Sequence, residues 1–363
     1  MIRKNARMLC VGVLALLGVS CVKNETAAPN NDNSFVLSSF VADYPVLSLD
    51  EDTKSEAASV IYRVYWNAGD KIAIINVSQG NRMDTYTSVA RMEDTGGAGR
   101  FDADDVYSYN PDDIVFAVYP PTAIADISTG GDVYKLTVEL EDNLSYNSKS
   151  NSPMFERNNI QVSNLYHASD LQLSGDKRPG IVLNRMTSMI RILSHISTEA
   201  LNTERVSAVA VRAKGLAGSA DVVFSGKAVG ATPSIQLNSG TGNLMNVTVT
   251  NNLLMASTTP IAEFIPVFPI YLGKDATRDG FEIKFTTEQY FVNFHREMSA
   301  NLTSNGVLAM NIFEGAYTRV KGEEEAVGDY KWWYTFKKGG MNSSGSFGSE
   351  GSELGSTAGG FEE

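Results

Sequence analysis

The chain has 363 residues, 43% of them hydrophobic, with 42 Asp and Glu against 30 Lys and Arg and a net charge of −12. That acidic balance disfavours nucleic acid as a partner, and direct electrostatic docking on an anionic membrane with it. The only cysteines are Cys10 and Cys21, so no disulfide or thiolate metal site can staple the body of the chain, and its stability must come from packing.

Arg3, Lys4 and Arg7 precede an apolar run from Met8 to Leu17, and Gly18-Val-Ser-Cys21 follows it. A basic start, a short apolar core and small residues before a cleavage point make a secretory signal peptide, and a run of about ten residues is too short to span a ~30 Å hydrocarbon layer. Residues 1–20 are therefore expected to be removed. Leu16-Leu-Gly-Val-Ser-Cys21 resembles a bacterial lipobox. The resemblance implies cleavage between Ser20 and Cys21 and lipidation (diacylation, palmitate-type chains) of Cys21; two or more acyl chains suffice for stable anchoring. Loss of Arg3, Lys4 and Arg7 with the leader takes the net charge from −12 to −15. Residues 21–34 are polar, carry Pro29 and read as a lipidated tether.

Beyond the tether the chain reads as all-β. Ser34–Leu49 holds one or two strands. Val60–Trp66 and Lys71–Val77 alternate around the turn Asn67-Ala-Gly-Asp70 and read as a hairpin. Short alternating runs recur at Val115–Val118, Val133–Leu140, Ile181–Leu183, Ile190–Ile196, Val206–Val211, Ala220–Phe224, Ser234–Leu237, Met245–Val249, Phe264–Phe268, Phe281–Phe285, Tyr290–Phe294 and Val307–Phe313. Turn clusters such as Thr95–Gly99, Thr129–Gly131 and Asn238–Gly242 separate them. Many short strands with this punctuation predict β-sandwiches. Asn184–Ile196 has helical spacing too, but its β-branched content favours strand. Gly175-Asp-Lys-Arg-Pro-Gly180 is the expected boundary between an N-terminal sandwich, 35–178, and a C-terminal one, 179–320, with a C-terminal extension over 321–363.

Several segments carry a family resemblance. Trp66-Asn-Ala-Gly-Asp-Lys-Ile-Ala-Ile74 is similar to the W-x-x-G-D-K-I-x-V motif of Bacteroidetes fimbrillin-like proteins, the Mfa-like and FimA-like subunits of type V pili. The Tyr86–Phe101 spacing, Phe116-Ala-Val-Tyr-Pro120, Ser152-Pro-Met-Phe155 and Val182–Ile192 follow in the family's order, with Asn184 and Arg185 where the family has Phe and His. Phe264–Pro269 and Leu302–Ile312 resemble its closing strands. The resemblance implies two tandem transthyretin-like, Greek-key β-sandwich domains. It also implies a surface subunit of the outer membrane whose N-terminal strand is removed by proteolysis and replaced by a strand of another subunit. Lys54-Ser55 stands where the family often carries Arg-Thr, which makes Lys54 the candidate processing site.

No chemistry-bearing constellation stands out, so no catalytic, cofactor-binding or metal residue is expected. His167, His195 and His295 lack a second histidine at metal-ligand spacing, and Gly96-Gly-Ala-Gly99 opens no helix. Asp50-Glu-Asp52 and Asp102-Ala-Asp-Asp105 read as solvated loops rather than calcium sites. In the C-terminal extension, Asp329-Tyr-Lys-Trp-Trp-Tyr-Thr-Phe336 reads as a strand, and the Gly- and Ser-rich residues after 338 as a flexible tail. The strand makes Trp332, Trp333, Tyr334 and Phe336 candidates for a donor strand or a ligand contact; an edge strand folding back on the second sandwich explains the same residues. The leading expectation is a structural or accessory subunit of cell-surface fimbriae, with other fimbrial subunits as partners. The alternative is a monomeric surface lipoprotein binding a host glycan or matrix protein.

Overall fold

Alternation with period two dictates what the chain builds, because successive side chains of an extended strand face opposite ways. The computed structural model describes residues 33–43, 48–49, 66–89, 99–146, 158–171, 180–196, 201–238, 242–249, 253–256, 262–272, 281–296, 300–313, 317–319 and 332–338. The first thirteen strands are β1 Phe35–Val36, β2 Ser39–Asp43, β3 Ser48–Leu49, β4 Lys71–Asn76, β5 Arg82–Ser88, β6 Gly99–Ala103, β7 Ser108–Tyr109, β8 Ile114–Tyr119, β9 Ile124–Ser128, β10 Lys135–Leu140, β11 Asn143–Tyr146, β12 Gln161–Ser163 and β13 Tyr166–His167. The others are β14 Gly180–Arg185, β15 Ser188–His195, β16 Ala208–Phe224, β17 Pro233–Leu237, β18 Gly242–Val249, β19 Ala262–Val267, β20 Ile270–Leu272, β21 Phe281–Thr286, β22 Tyr290–Arg296, β23 Ala300–Leu302, β24 Gly306–Phe313, β25 Tyr317–Arg319 and β26 Trp332–Lys338. The fold is all-β, as expected, and Asn184–Ile196 holds the end of β14 and the whole of β15.

The first sheet runs β12-β14-β2-β6-β5-β4-β8-β13, and β12 also pairs β8, so the sheet closes on itself. The three residues of β12 are the seam: Gln161 faces Arg185 on one side and Tyr119 on the other. Closure removes the open edges that an isolated sheet would expose. The barrel interior holds Phe40, Ala42, Trp66, Ile72, Ile74, Tyr86, Phe101, Val115, Ala117, Tyr119, Ile181 and Leu183 in one cluster of buried residues. Residues of the opposite phase on the same strands, Ala73, Ile75, Phe116 and Val118, belong to a second cluster with Leu136, Val138, Val209, Val222 and Phe285. β4 and β8 are thus covered on both faces, which is why Ile72-Ala-Ile-Ile75 and Val115-Phe-Ala-Val118 are continuous apolar runs. β5, with one solvated face, alternates instead.

A second sheet runs β11-β18-β16-β21-β22-β26-β25, with β10 and β17 paired to the far end of β16 and β9 paired to β10. A four-stranded sheet, β19-β15-β24-β3, contributes Ile190, Ile192, Ile265 and Val267 to the same buried cluster as Val209, Val211, Ile283 and Val292 of the second sheet. Strands from both sides of residue 178 share sheets: β10 pairs β16, β11 pairs β18, and β14 pairs β2.

One expectation is corrected. Ala208–Val211, the greater part of the run expected at Val206–Val211, and Ala220–Phe224 belong to one 17-residue strand, β16. Its register shifts between Arg212 and Ala217, and Gly215 (φ 76°) and Gly218 (φ 97°) adopt backbone that other residues disfavour. The bend passes the strand from β18 and β21 to β10 and β17. β4 pairs β5 along one edge and, at Ala73–Asn76, β8 along the other; of its expected hairpin partner, Val60–Trp66, only Trp66 lies within the described residues.

Candidate functional site

The site of interest is the slot occupied by β2. On one side β2 lies antiparallel to β6, with Phe40 opposite Phe101, Val41 opposite Arg100 and Ala42 opposite Gly99. On the other it lies parallel to β14, with Val41 opposite Gly180 and Ala42 opposite Ile181. The chain then reaches β3, whose Ser48 and Leu49 lie parallel to Gly306 and Val307 of β24 in the four-stranded sheet. The N-terminal segment therefore contributes a strand to each of two sheets.

Inside the barrel Phe40 is fully buried. Its ring stacks on Phe101 at 5.5 Å and 12°, and meets Tyr86 edge-on at 4.9 Å. Such pairs add about 0.5–1.5 kcal/mol to the area they bury. Trp66 stands edge-on to Phe101 at 5.0 Å and to Tyr119 at 4.9 Å, and its Nε1–H donates to the Ala42 carbonyl at 2.9 Å. A Cβ on Gly99 would lie 2.5 Å from Trp66 Cδ1. The small pair Ala42–Gly99 is the space that the indole fills.

The motif around Trp66 has a local explanation. Gly69 holds a left-handed φ of 94° and donates its N–H to Ser88 O at 2.9 Å. The Asp70 carboxylate accepts from Asn67 N–H at 2.8 Å and closes the turn. Lys71 pairs with Asp104 at 2.8 Å near the surface.

The entrance to β2 is held by a polar and aromatic network. Tyr86 Oη donates to Leu37 O at 3.2 Å and lies 3.1 Å from Tyr109 Oη, and burial pushes both phenols up. Arg82 binds the buried Asp84 through Nε and Nη2, donates to Gln79 and Ser108 O, and sits 5.1 Å from the Tyr109 ring centroid. β1 pairs with β7 here.

Ser20, Cys21 and Lys54 lie outside the described residues, as does Asp50-Glu-Asp52. Trp332, Trp333, Tyr334 and Phe336 lie on β26, which has a neighbouring strand on each side and is not the edge strand expected as one alternative. β26 runs antiparallel to β22, with Trp333 opposite His295, and parallel to β25, with Trp332 opposite Tyr317. Asp102 is spent on Arg100 at 2.6 Å and Asp104 on Lys71 and Thr87. Among the described residues no group of three or more His, Cys, Asp or Glu could hold a metal ion, and no helix is long and apolar enough to cross a membrane. Ala42 and Gly99 escaped the sequence reading. Period two from Phe40 could have found Ala42, whereas the Gly99–Trp66 contact crosses strands and leaves no local signal.

No protein-family model and no curated protein sequence matches the chain. Solved structures do resemble it. A proposed cell adhesion protein of Bacteroides uniformis is 14% identical, covers 80% of this chain and 97% of its own, and has a TM-score of 0.42. A fimbrial protein of Bacteroides ovatus is 11% identical over 76% of this chain and 50% of its own, with a TM-score of 0.31. A fimbrilin of Porphyromonas gingivalis is 9% identical over 72% of this chain and 71% of its own, with a TM-score of 0.26. These neighbours are adhesion and fimbrial proteins. Identities and TM-scores this low align no individual residues, and the position of β2 is described from this chain alone.

Proposed function

We propose that the chain is a structural or accessory subunit of cell-surface fimbriae, exported as a lipoprotein on Cys21 and assembled by strand exchange. The observation that carries this reading is the place of β2. It is the first full strand after the tether, it is hydrogen-bonded on both edges, and it ends only a short way before Lys54. A cut at Lys54 would separate β1, β2 and β3 covalently from everything that follows. Loss of that piece would leave a slot between β6 and β14, lined by Phe101, Tyr86, Trp66 and Ile181, with the backbone groups that paired with β2 unsatisfied on both walls. An extended strand from another subunit can satisfy such walls by main-chain hydrogen bonds, with alternate side chains setting register. The lipobox-like segment and the ordered fimbrillin-like motifs support a process at the outer membrane surface, with other fimbrial subunits as partners.

The test starts from the cell. The N-terminus of the protein is determined by mass spectrometry in membrane and sheared fimbrial fractions. An acylated Cys21 in the membrane with a new N-terminus just after Lys54 in fimbriae is the expected result. An intact N-terminal segment in both fractions, together with purified protein that stays monomeric after cleavage at Lys54, overturns the reading.

A further inference from the structure

We propose that the cleft between the β14–β15 corner, the start of β17 and the β23–β24 turn binds an acetamido sugar, an N-acetylhexosamine unit of a glycan. The inference does not depend on strand exchange.

The cleft has a volume of about 670 Å³, within the ~300–1,000 Å³ of ordinary ligand sites. Its rim is tied down by the chain itself. Asn305 holds a left-handed φ of 66°, which asparagine tolerates, and donates its N–H to Thr187 O at 2.9 Å. Gly306 N–H closes the turn on Thr303 O at 3.0 Å, and Ser188 Oγ donates to the same carbonyl at 2.6 Å. The β23–β24 turn is thereby fastened to the β14–β15 corner, so a ligand meets a site formed in advance.

Two amides set the polarity of the cleft. Asn184 commits both hydrogens of Nδ2, to Val162 O at 3.2 Å and to Asn164 Oδ1 at 3.0 Å. What it has left to offer a ligand is the acceptor Oδ1. Asn305 accepts from Arg185 Nη1 through Oδ1 at 2.7 Å, and what it has left is the donor Nδ2. An acetamido group is the complement of that pair: an N–H to donate, a carbonyl to accept, and a methyl. Leu183, Met186 and Leu302 line the same cleft and are nearly fully buried, which supplies an apolar wall for the methyl. Thr232 and Thr303 stand exposed at the rim, where their hydroxyls suit those of a sugar ring. Gln161 lies opposite Arg185 in the β12–β14 ladder and so on the same face. It is fully buried, and neither of its amide atoms has a hydrogen-bond partner among the described residues. Buried polar groups are nearly always paired, so this corner holds more hydrogen-bonding capacity than the chain itself uses.

A peptide main chain carries the same donor and acceptor, and β17 could in principle extend its sheet into the cleft. Its sequence argues against that. Thr232 O accepts from Ser225 N–H and Asn238 N–H donates to Ser219 O, so by alternation Pro233, Ile235 and Leu237 carry the backbone groups of the edge away from β16. Pro233 lines the cleft and has no N–H to give an added strand. The cleft therefore favours a compact amide over an extended one.

The purified, uncleaved chain is titrated by ligand-observed NMR with the methyl glycosides of N-acetylglucosamine, N-acetylgalactosamine, glucose and galactose. At least one acetamido sugar is expected to bind tenfold or more tightly than its plain counterpart, with the strongest saturation transfer at the acetyl methyl. Asn305→Asp keeps an acceptor for Arg185 and tolerates the same backbone conformation, but turns the offered donor into an acceptor. Binding should fall at least tenfold while the urea midpoint holds or rises. Thr232→Trp fills the cleft from an exposed position on its other wall and should weaken binding as much without touching Asn305. Acetamido and plain sugars that bind alike, no sugar bound at all, or binding indifferent to either substitution overturns the proposal. Uptake of an acetylated Val-Ser hexapeptide amide in place of the sugars overturns it too and marks the cleft as an edge for strand addition. None of these outcomes bears on strand exchange, which is read from the N-terminus and from assembly after cleavage.

Discussion

At the scale of single residues, the barrel interior concentrates its risk in a few positions. Phe40→Ala removes a fully buried ring and should cost about 3–5 kcal/mol, read as a fall in the urea midpoint of the purified protein. Gly99→Ala inserts a methyl 2.5 Å from Trp66 Cδ1 and should cost about 1–3 kcal/mol. Its near-ultraviolet circular dichroism should change as the indole moves, and an unaltered tryptophan signal would sink that account. Acid sensitivity has identifiable carriers. Burial works to raise the Asp221 carboxyl, but hydrogen bonds from Thr137 and Asn238 and the nearby Lys135 outweigh it and hold the group below its usual range; Lys71 and Thr87 do the same for Asp104. A folded pKa below the unfolded value of about 3.9 means that the stability is present above that value and is lost as pH falls through the folded one. Asp221→Asn should therefore flatten the stability profile below about pH 4 while changing its shape little near neutrality, as denaturant titrations at a series of pH values would show.

At the scale of elements, the seam decides whether the barrel closes. Val162 pairs with Asn184 on one side and Val118 on the other. Val162→Pro removes a donor where both edges are used, a position that proline does not tolerate in a sheet. The expected outcome is a loss of hydrogen-exchange protection in β8 and β14 before β16 and β21, and simultaneous exchange of all four would show that the seam is not a separate weak point. Most strands were legible in the sequence because burial on one face prints period two: β10, β15, β17, β18, β21, β22 and β24 fall within or around the expected runs. β4 and β8 were legible for the opposite reason, as continuous apolar runs covered on both faces. β12 and β13, of three and two residues, are too short to print a period. β11 was missed because its partner, β18, lies about a hundred residues on and runs parallel to it. The same limit hid the slot itself: Phe40 was visible as an apolar point, while its frame of Phe101, Tyr86 and Trp66 comes from three other segments.

At the scale of the whole molecule, β4 and β8 supply residues to both buried clusters, one from each face, so changes on one face of β4 or β8 should be felt on the other. Ile74 faces the barrel interior and Ile75 the second buried cluster. Ile74→Ala and Ile75→Ala should each cost about 2–5 kcal/mol and lower a single unfolding transition, which calorimetry can check; two resolved transitions, each moved by only one substitution, would show that the layers unfold independently. Pairing of this kind was unreadable in advance, because the sequence records the periods of strands and not which strand returns to which edge. The two-edged seating of β2 also has a mechanical meaning. A force applied along β2 would act on a strand gripped by β6 and β14 together. Such a load is shared by all the rungs of both ladders at once and cannot peel them one by one. Rupture under force is governed by the unfolding barrier rather than by equilibrium stability, so a strand seated this way can belong to a modestly stable fold and still hold fast under load.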